Sequence, residues 1–419
     1  MENKNSEQQG SHAVEPPKQS RFCYRFARLV TGFVSKVFFR RKFIRNEIKG
    51  KKGPFVVIAN HQAAYDFVNL MSATSEPMHF VISESFYNTL PIKGFLTKLG
   101  VIPKQQFQTA IRDLRLMKQV IADGKILVIY PAGLMCEDGL STPIPEATYQ
   151  FLKWIKADVY MAKTKGTYFA MPKWSKGLRR GRTFLDVYKL FSKEELSELD
   201  LNDVKKKTEE ALLFDAYREQ EELLVKYKRG SDIEGLENVL YICPSCGSEH
   251  VMHVRDKRVI YCDKCGFAEE SDKYGFLHKI SEVGKEIRYV SDWSRYIHNR
   301  VTKILDDEAD IEMSCRAKIR MIDDGRHRFT DVGTGIVTLT KEQFTIEGRI
   351  KGEPLFVSVP TANFASLPFS PANYFEIQHN ADIYRCIPDN PDRVMEYVHT
   401  VKVLYEKHNA ACEKVRIAE

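Results

Sequence analysis

At 419 residues the chain is long enough for two or three domains, each able to bury a core. Hydrophobic residues at 43% and charged residues at 28% exclude a disordered chain, and no run of eighteen apolar residues is present to suit a membrane-spanning helix. The net charge of +7 is modest but uneven, because residues 21–52 carry eleven Lys or Arg against one acid, Glu47.

The first twenty residues are polar and include Pro16 and Pro17, which predicts a disordered tail over 1–20 and not a signal peptide. From Arg21 to Phe43, aromatic and aliphatic residues alternate with cations. Phe22, Phe26, Leu29, Val30, Phe33 and Val37 recur at three- and four-residue spacings, which places them on one helical face. Arg21, Arg25, Arg28 and Lys36 lie off that face, and Arg40, Arg41 and Lys42 cluster at its end. Residues 21–48 therefore read as a basic amphipathic helix at a membrane interface, with an anionic bilayer surface as its partner. The bland reading is a helix packed on the next domain with a solvated basic face.

Within a domain expected over 49–232, residues 50–195 alternate β-rich runs (Phe55–Ala59, His79–Ile82, Lys125–Tyr130, Val159–Lys163, Thr183–Tyr188) with helical stretches, the pattern of a layered α/β fold. Ser192 and Glu195 predict a capping box that opens a long charged helix reaching Lys228. The first strand ends in FVVIANHQAAYD, with His61 and Asp66 five residues apart. An imidazole oriented by a carboxylate takes a proton from a hydroxyl and holds the charge it gains. No nucleophile of the protein's own accompanies the pair, so it reads as a base acting on a substrate hydroxyl. Cys136, in the turn after Gly133, reads as a small turn residue and not a thiol nucleophile.

The NHxxxxD block after an apolar strand resembles the glycerolipid acyltransferase family, whose lysophosphatidic acid acyltransferases carry it. LGVIPK (99–104), KILVIYPAG (125–133) and ADVYMAKTKGTY (157–168) follow in the family's order, so the resemblance spans residues 50–195. It implies an α/β acyltransferase domain with His61 as base and Asp66 as its orienting acid. It also implies Asn60, Lys104, Pro131 and Gly133 around the substrate, with Gly133 and nearby amides at the oxyanion. The donor implied is an acyl thioester on coenzyme A or acyl carrier protein, and the acceptor a lysophospholipid or related lipid. Two departures stand out. Ala132 occupies the place of the family's Glu, and Gln106 stands near the Arg that grips acceptor phosphate. Those departures favour the rival reading, a lipid-binding or scaffolding protein on the same fold.

Four of nine cysteines form Cys243-x2-Cys246 and Cys262-x2-Cys265, two knuckles fifteen residues apart with Gly247 and Gly266 in their turns. This is the pattern of a zinc ribbon over 238–272, with a closed S4 site for structural Zn²⁺. His250 and His253 lie within the loop but are not needed as ligands. The other cysteines are scattered, as in a reducing compartment, which predicts a peripheral protein on the cytoplasmic face of a membrane. Cations and acids nearly balance across the ribbon, so nucleic acid is not an expected partner. Residues 273–309 read as a helical linker, with a helix over Ser281–Asp307. From 310 to 419 the pattern alternates with period two, and Asn390-Pro391 opens a final helix to about Lys407, an arrangement that resembles a pleckstrin-homology-like domain.

Overall fold

The computed structural model describes residues 15–105, 110–323, 325–380 and 382–418. Most of the tail expected over 1–20 lies outside them. Within them, Gln19 is tied down, donating from Nε2 to the carbonyls of Met78 (2.9 Å) and Leu99 (3.0 Å).

Helix α1 (Arg21–Val37) starts at Ser20, whose side chain accepts from the Cys23 amide. It ends earlier than its periodicity predicts. Arg40 turns the chain in a left-handed conformation, and Lys42–Asn46 forms strand β1, paired in parallel with a strand some 140 residues away. That pairing is non-local and leaves no trace in the segment's own spacing.

The first sheet is mixed. Its strands are β1, β2 (Phe55–Ala59), β3 (Met78–Ser83), β4 (Ile102–Lys104), β5 (Ile126–Ile129), β6 (Asp158–Lys165) and β7 (Phe184–Phe191). They lie in the order β1-β7-β6-β2-β5-β3-β4, with only β6–β7 antiparallel. Every residue of β2 is buried, as befits a central strand covered on both faces. Val56 and Ile58 join a core with Leu116, Val120, Tyr149 and Leu152, while Phe55, Val57 and Ala59 join another with Tyr24, Leu70 and Tyr87. The helices supplying these layers are α2 (Asp66–Met71), α3 (Glu84–Thr89), α4 (Lys93–Lys98), α5 (Ile111–Ala122), α6 (Ala147–Ile155) and α7 (Thr167–Ala170). The single helix expected to Lys228 is three: α8 (Lys193–Glu198), α9 (Leu201–Leu212) and α10 (Ala216–Leu223). The capping box at Ser192 is present, but Asp200 and Asp215 each cap a new start.

A second sheet, β8 (Met252–Arg255), β9 (Val259–Cys262), β10 (Ala268–Ser271) and β11 (Leu277–Lys279), is antiparallel in the order β11-β10-β9-β8. Helix α11 spans Val290–Asp307, shorter than the helix expected from Ser281. The third sheet is antiparallel, in the order β15-β14-β13-β12-β18-β17-β16. Its strands are β12 (Glu312–Asp323), β13 (Arg328–Thr340), β14 (Gln343–Ile350), β15 (Glu353–Pro360), β16 (Phe369–Ser370), β17 (Tyr374–His379) and β18 (Asp382–Pro388). Asn390 caps a short turn that leads into helix α12 (Val394–Ala418), longer than the spacing predicts. Tyr397 of α12 stacks on Phe344 and Phe375 of this sheet. A buried joint ties the sheet to α3. Ser85 Oγ donates to Glu376, and Arg385, held between the Phe329 and Tyr374 rings, donates to the same carboxylate at 2.6 and 2.9 Å. No helix among the described residues is long and apolar enough to cross a membrane.

Candidate active site

Strand β2 delivers Asn60 and His61 to the carboxyl edge of the first sheet, where loops between parallel strands gather. Asn60 is buried, and both ends of its amide are engaged. It donates to the Thr164 carbonyl (2.8 Å) and accepts from the Thr164 amide (2.7 Å), so it joins β2 to β6. The chain then turns away, and Asp66 opens α2 with its carboxylate pointing back. With the proton on Nδ1, His61 donates to Asp66 Oδ2 at 2.9 Å. The Ala63 amide donates to that same oxygen, also at 2.9 Å, which fixes the carboxylate. Asp66 is buried while the His61 side chain keeps 20% of its accessible surface. The imidazole is thus open to solvent on one side and held by a buried carboxylate on the other.

Tyr130, at the end of β5, was not apparent from sequence. Its ring lies 4.5 Å from the imidazole, centroid to centroid, and its buried hydroxyl has no hydrogen-bond partner. Burial, and then the charge of Asp66, hold its acidity well below that of an ordinary phenol. Gln62 was also missed. Its Oε1 accepts from Thr167 Oγ1 and the Tyr168 amide, both at 3.3 Å, and its Nε2 donates to Glu219 (3.1 Å). A Tyr at a strand end or a Gln in a loop carries no spacing by which sequence could single it out.

Pro131 and Gly133 shape a turn. The Gly133 amide donates to the Tyr130 carbonyl (2.9 Å), with Pro131 in the second position where its fixed φ belongs. Gly133 has a φ of +69°, which explains the glycine. Its amide is therefore engaged inside its own turn. Ala132 between them lines a narrow cleft with Asn60 and His61, and its amide makes no hydrogen bond among the described residues. Cys136 is fully buried, and burial, with Asp138 and Glu137 nearby, pushes its thiol well above the usual range, as a packed turn residue requires.

Lys104 ends β4, three strand spacings from β2 and so roughly 14 Å across the sheet edge. Its ammonium donates to the Gln105 carbonyl (2.9 Å), and burial lowers its pKa, opposed by Asp113. Gln106 lies outside the described residues.

Residues 40–171 match the protein family described as Acyltransferase. This stretch is an acyltransferase domain. The crystal structure of the 1-acyl-sn-glycerophosphate (LPA) acyltransferase PlsC from Thermotoga maritima is similar over 49% of this chain and 79% of that one, at 19% identity and a TM-score of 0.39. No curated protein matches the chain. Within the acyltransferase domain, the His61 imidazole is oriented by the Asp66 carboxylate and flanked by the Tyr130 ring.

Outside the domain, Cys243, Cys246, Cys262 and Cys265 bring their sulfurs within 4.8 Å of one another, the Cys243–Cys265 and Cys246–Cys262 separations being 3.7 and 3.8 Å. Thiolates about 2.3 Å from one tetrahedral ion sit about 3.8 Å apart, so the donor set fits a metal. Gly247 and Gly266, at φ of +69° and +77°, close the two knuckles by donating to the Cys243 and Cys262 carbonyls. His250 instead pairs with Glu396 of α12, and His253 with Asp263.

Proposed function

We propose that the protein moves a fatty acyl group from a thioester, on coenzyme A or acyl carrier protein, to a hydroxyl of a lysophospholipid or related lipid at a membrane surface. The observation that carries this reading is the His61–Asp66 contact inside the acyltransferase domain. In the proposed reaction, His61 Nε2 takes the proton from the acceptor hydroxyl as that oxygen attacks the thioester carbonyl. Asp66 stabilises the imidazolium that results. The unengaged Ala132 amide is the donor best placed for the oxyanion. Collapse breaks the carbon–sulfur bond, and the imidazolium returns its proton to the departing thiolate. Tyr130 holds the ring and Asn60 holds the strand end.

The four cysteines hold a structural Zn²⁺ in this reading, since four thiolates leave the ion no open position. Helix α1 provides the bilayer contact at the cytoplasmic face. Tyr24, Ala27 and Ser35 seat it on the domain, while Phe22 (82% exposed), Phe26, Leu29, Val30 and Phe33 (63%) face outward. That split supports a lipid-facing stripe, because a helix merely packed on the domain buries such residues. Ala132 and the missing phosphate-gripping Arg favour the rival reading of a lipid-binding protein. The deciding experiment is acyl transfer from an acyl thioester to monoacyl lipids by purified wild type and His61→Ala. The expected result is turnover that falls about 10²–10⁴-fold in the variant. Equal activity in both, with correct folding, overturns the proposal.

A further inference from the structure

A cavity of about 570 Å³ opens beside the His61 cleft, and Ser141 and Phe214 line both. Helices α10, α11 and α12 build most of its wall, so it depends on parts of the chain beyond residues 40–171. The size is that of a small-ligand site. Its lining is unlike an acyl groove, since charged side chains outnumber apolar ones: four Lys or Arg face five carboxylates. Some of these charges neutralise one another, as Arg295 with Asp215 (2.6 Å), and His298 Nε2 lies 3.2 Å from a Glu406 oxygen. No hydrogen bond or salt bridge holds the side chain of Lys165 or Glu222 among the described residues, though the Lys165 ammonium lies near enough to Glu219 to interact with it electrostatically. His399, buried in the same wall, has an Nδ1 without a partner. Burial and the adjacent Lys402 drive its pKa down to about 3, so the ring is neutral and offers one N–H donor and one nitrogen acceptor. A buried polar atom left unpaired costs free energy, and a ligand that satisfies it recovers that cost.

Charge decides the kind of ligand. A phosphomonoester or a coenzyme A diphosphate brings two or more negative charges to a wall with no excess of cations and is disfavoured. A headgroup with one phosphodiester and one ammonium matches the balanced wall. We propose that this cavity is the acceptor's headgroup subsite and takes a zwitterionic phosphodiester–ammonium headgroup, with Lys165 toward the phosphate, Glu222 toward the ammonium and His399 toward a polar oxygen. The inference rests on the acyltransferase reading for its connection to His61, but the subsite binds whether or not chemistry follows.

The test has two arms on the full-length protein. Calorimetry measures binding of glycerophosphoethanolamine and of glycerol 3-phosphate, and turnover is measured with lysophosphatidylethanolamine and lysophosphatidic acid as acceptors. The expected result is saturable binding of glycerophosphoethanolamine in preference to glycerol 3-phosphate. Glu222→Gln and Lys165→Gln, at exposed and half-buried positions, should each weaken that binding about tenfold or more and raise the acceptor KM with little change in kcat. Absent or unselective binding, or binding that neither variant changes, overturns the subsite. If the phosphomonoester acceptor is nonetheless turned over, the acyltransferase reading survives that failure. Selective, variant-sensitive binding without turnover of any acceptor keeps the subsite and overturns the acyltransferase reading instead.

Discussion

Tyr130 has its hydroxyl buried without a partner directly against the base, which makes it a test of what that residue does. If the ring alone matters, Tyr130→Phe removes an unsatisfied polar atom and keeps the wall. Stability should rise or stay within about 1 kcal/mol, and activity should stay within about threefold. Tyr130→Ala should lose about 3 kcal/mol and much of the turnover, because the imidazole loses the surface it rests on. Thermal melts and steady-state rates on the pair separate the two roles, and a large activity loss in Tyr130→Phe makes the hydroxyl a participant. At this scale the spacing in the sequence disclosed that His61 and Asp66 meet and that the four knuckle cysteines converge. The bonds that Asn60 and Gly133 make were not legible, because which partner an amide takes depends on Thr164 and on the turn's own geometry, and neither can be read from local sequence.

Helix α1 shows how far periodicity carries an element. Its face was legible because three- and four-residue spacing survives in the sequence. Its end was not, because β1 is fixed by pairing with β7. The exposed stripe permits a direct test without truncation. Phe22→Ser, Phe26→Ser and Phe33→Ser together change side chains that touch little of the domain, so the helix should persist by circular dichroism. Each buried Phe contributes about 1.5–3 kcal/mol to apolar transfer, and binding to anionic vesicles should lose its salt-insensitive part. Undiminished sedimentation with vesicles at high salt shows that the contact lies elsewhere. The cysteine knuckles are an element of a different kind, whose four converging sulfurs fit a metal. Purified protein should contain one zinc per chain by elemental analysis. Cys262→Ser, which removes a buried ligand, should lower the melting temperature and the zinc content while leaving His61 chemistry in the folded fraction. Zinc-free protein of unchanged stability counts against the site.

The chain as a whole is less divisible than composition implies. One continuous core runs from Tyr168, Phe169 and Tyr217 through Phe276 and Trp293 to Phe344 and Tyr397, crossing from the acyltransferase domain through the second sheet to the third. Trp293 of α11 donates to the Ile242 carbonyl beside the first knuckle (2.8 Å), and its ring meets Phe267 edge-on. A fragment ending at residue 232 leaves Phe169, Tyr217 and Tyr227 without their covering aromatics. It should be insoluble or molten, with limited proteolysis of the full chain yielding no stable piece of that length. A well-folded, soluble fragment shows that the core divides. The three-part order of α/β layer, cysteine-rich sheet and antiparallel sheet was legible from alternation and cysteine spacing. The shared core was not, because long-range packing among aromatics leaves no periodic mark.

The Asn60 side chain, gripping both the amide and the carbonyl of Thr164, behaves as a surrogate peptide group. It extends the β2–β6 ladder by one rung after the backbone of β2 has already left it. His61 is therefore tied to the sheet through Asn60, while Ala63 in the loop that follows holds the Asp66 carboxylate. Asn60→Asp sets a carboxylate oxygen against the Thr164 carbonyl and breaks that rung, and redesign of the entrance has to spare Gln62 and Ala63, whose bonds hold Tyr168 and Asp66 in place.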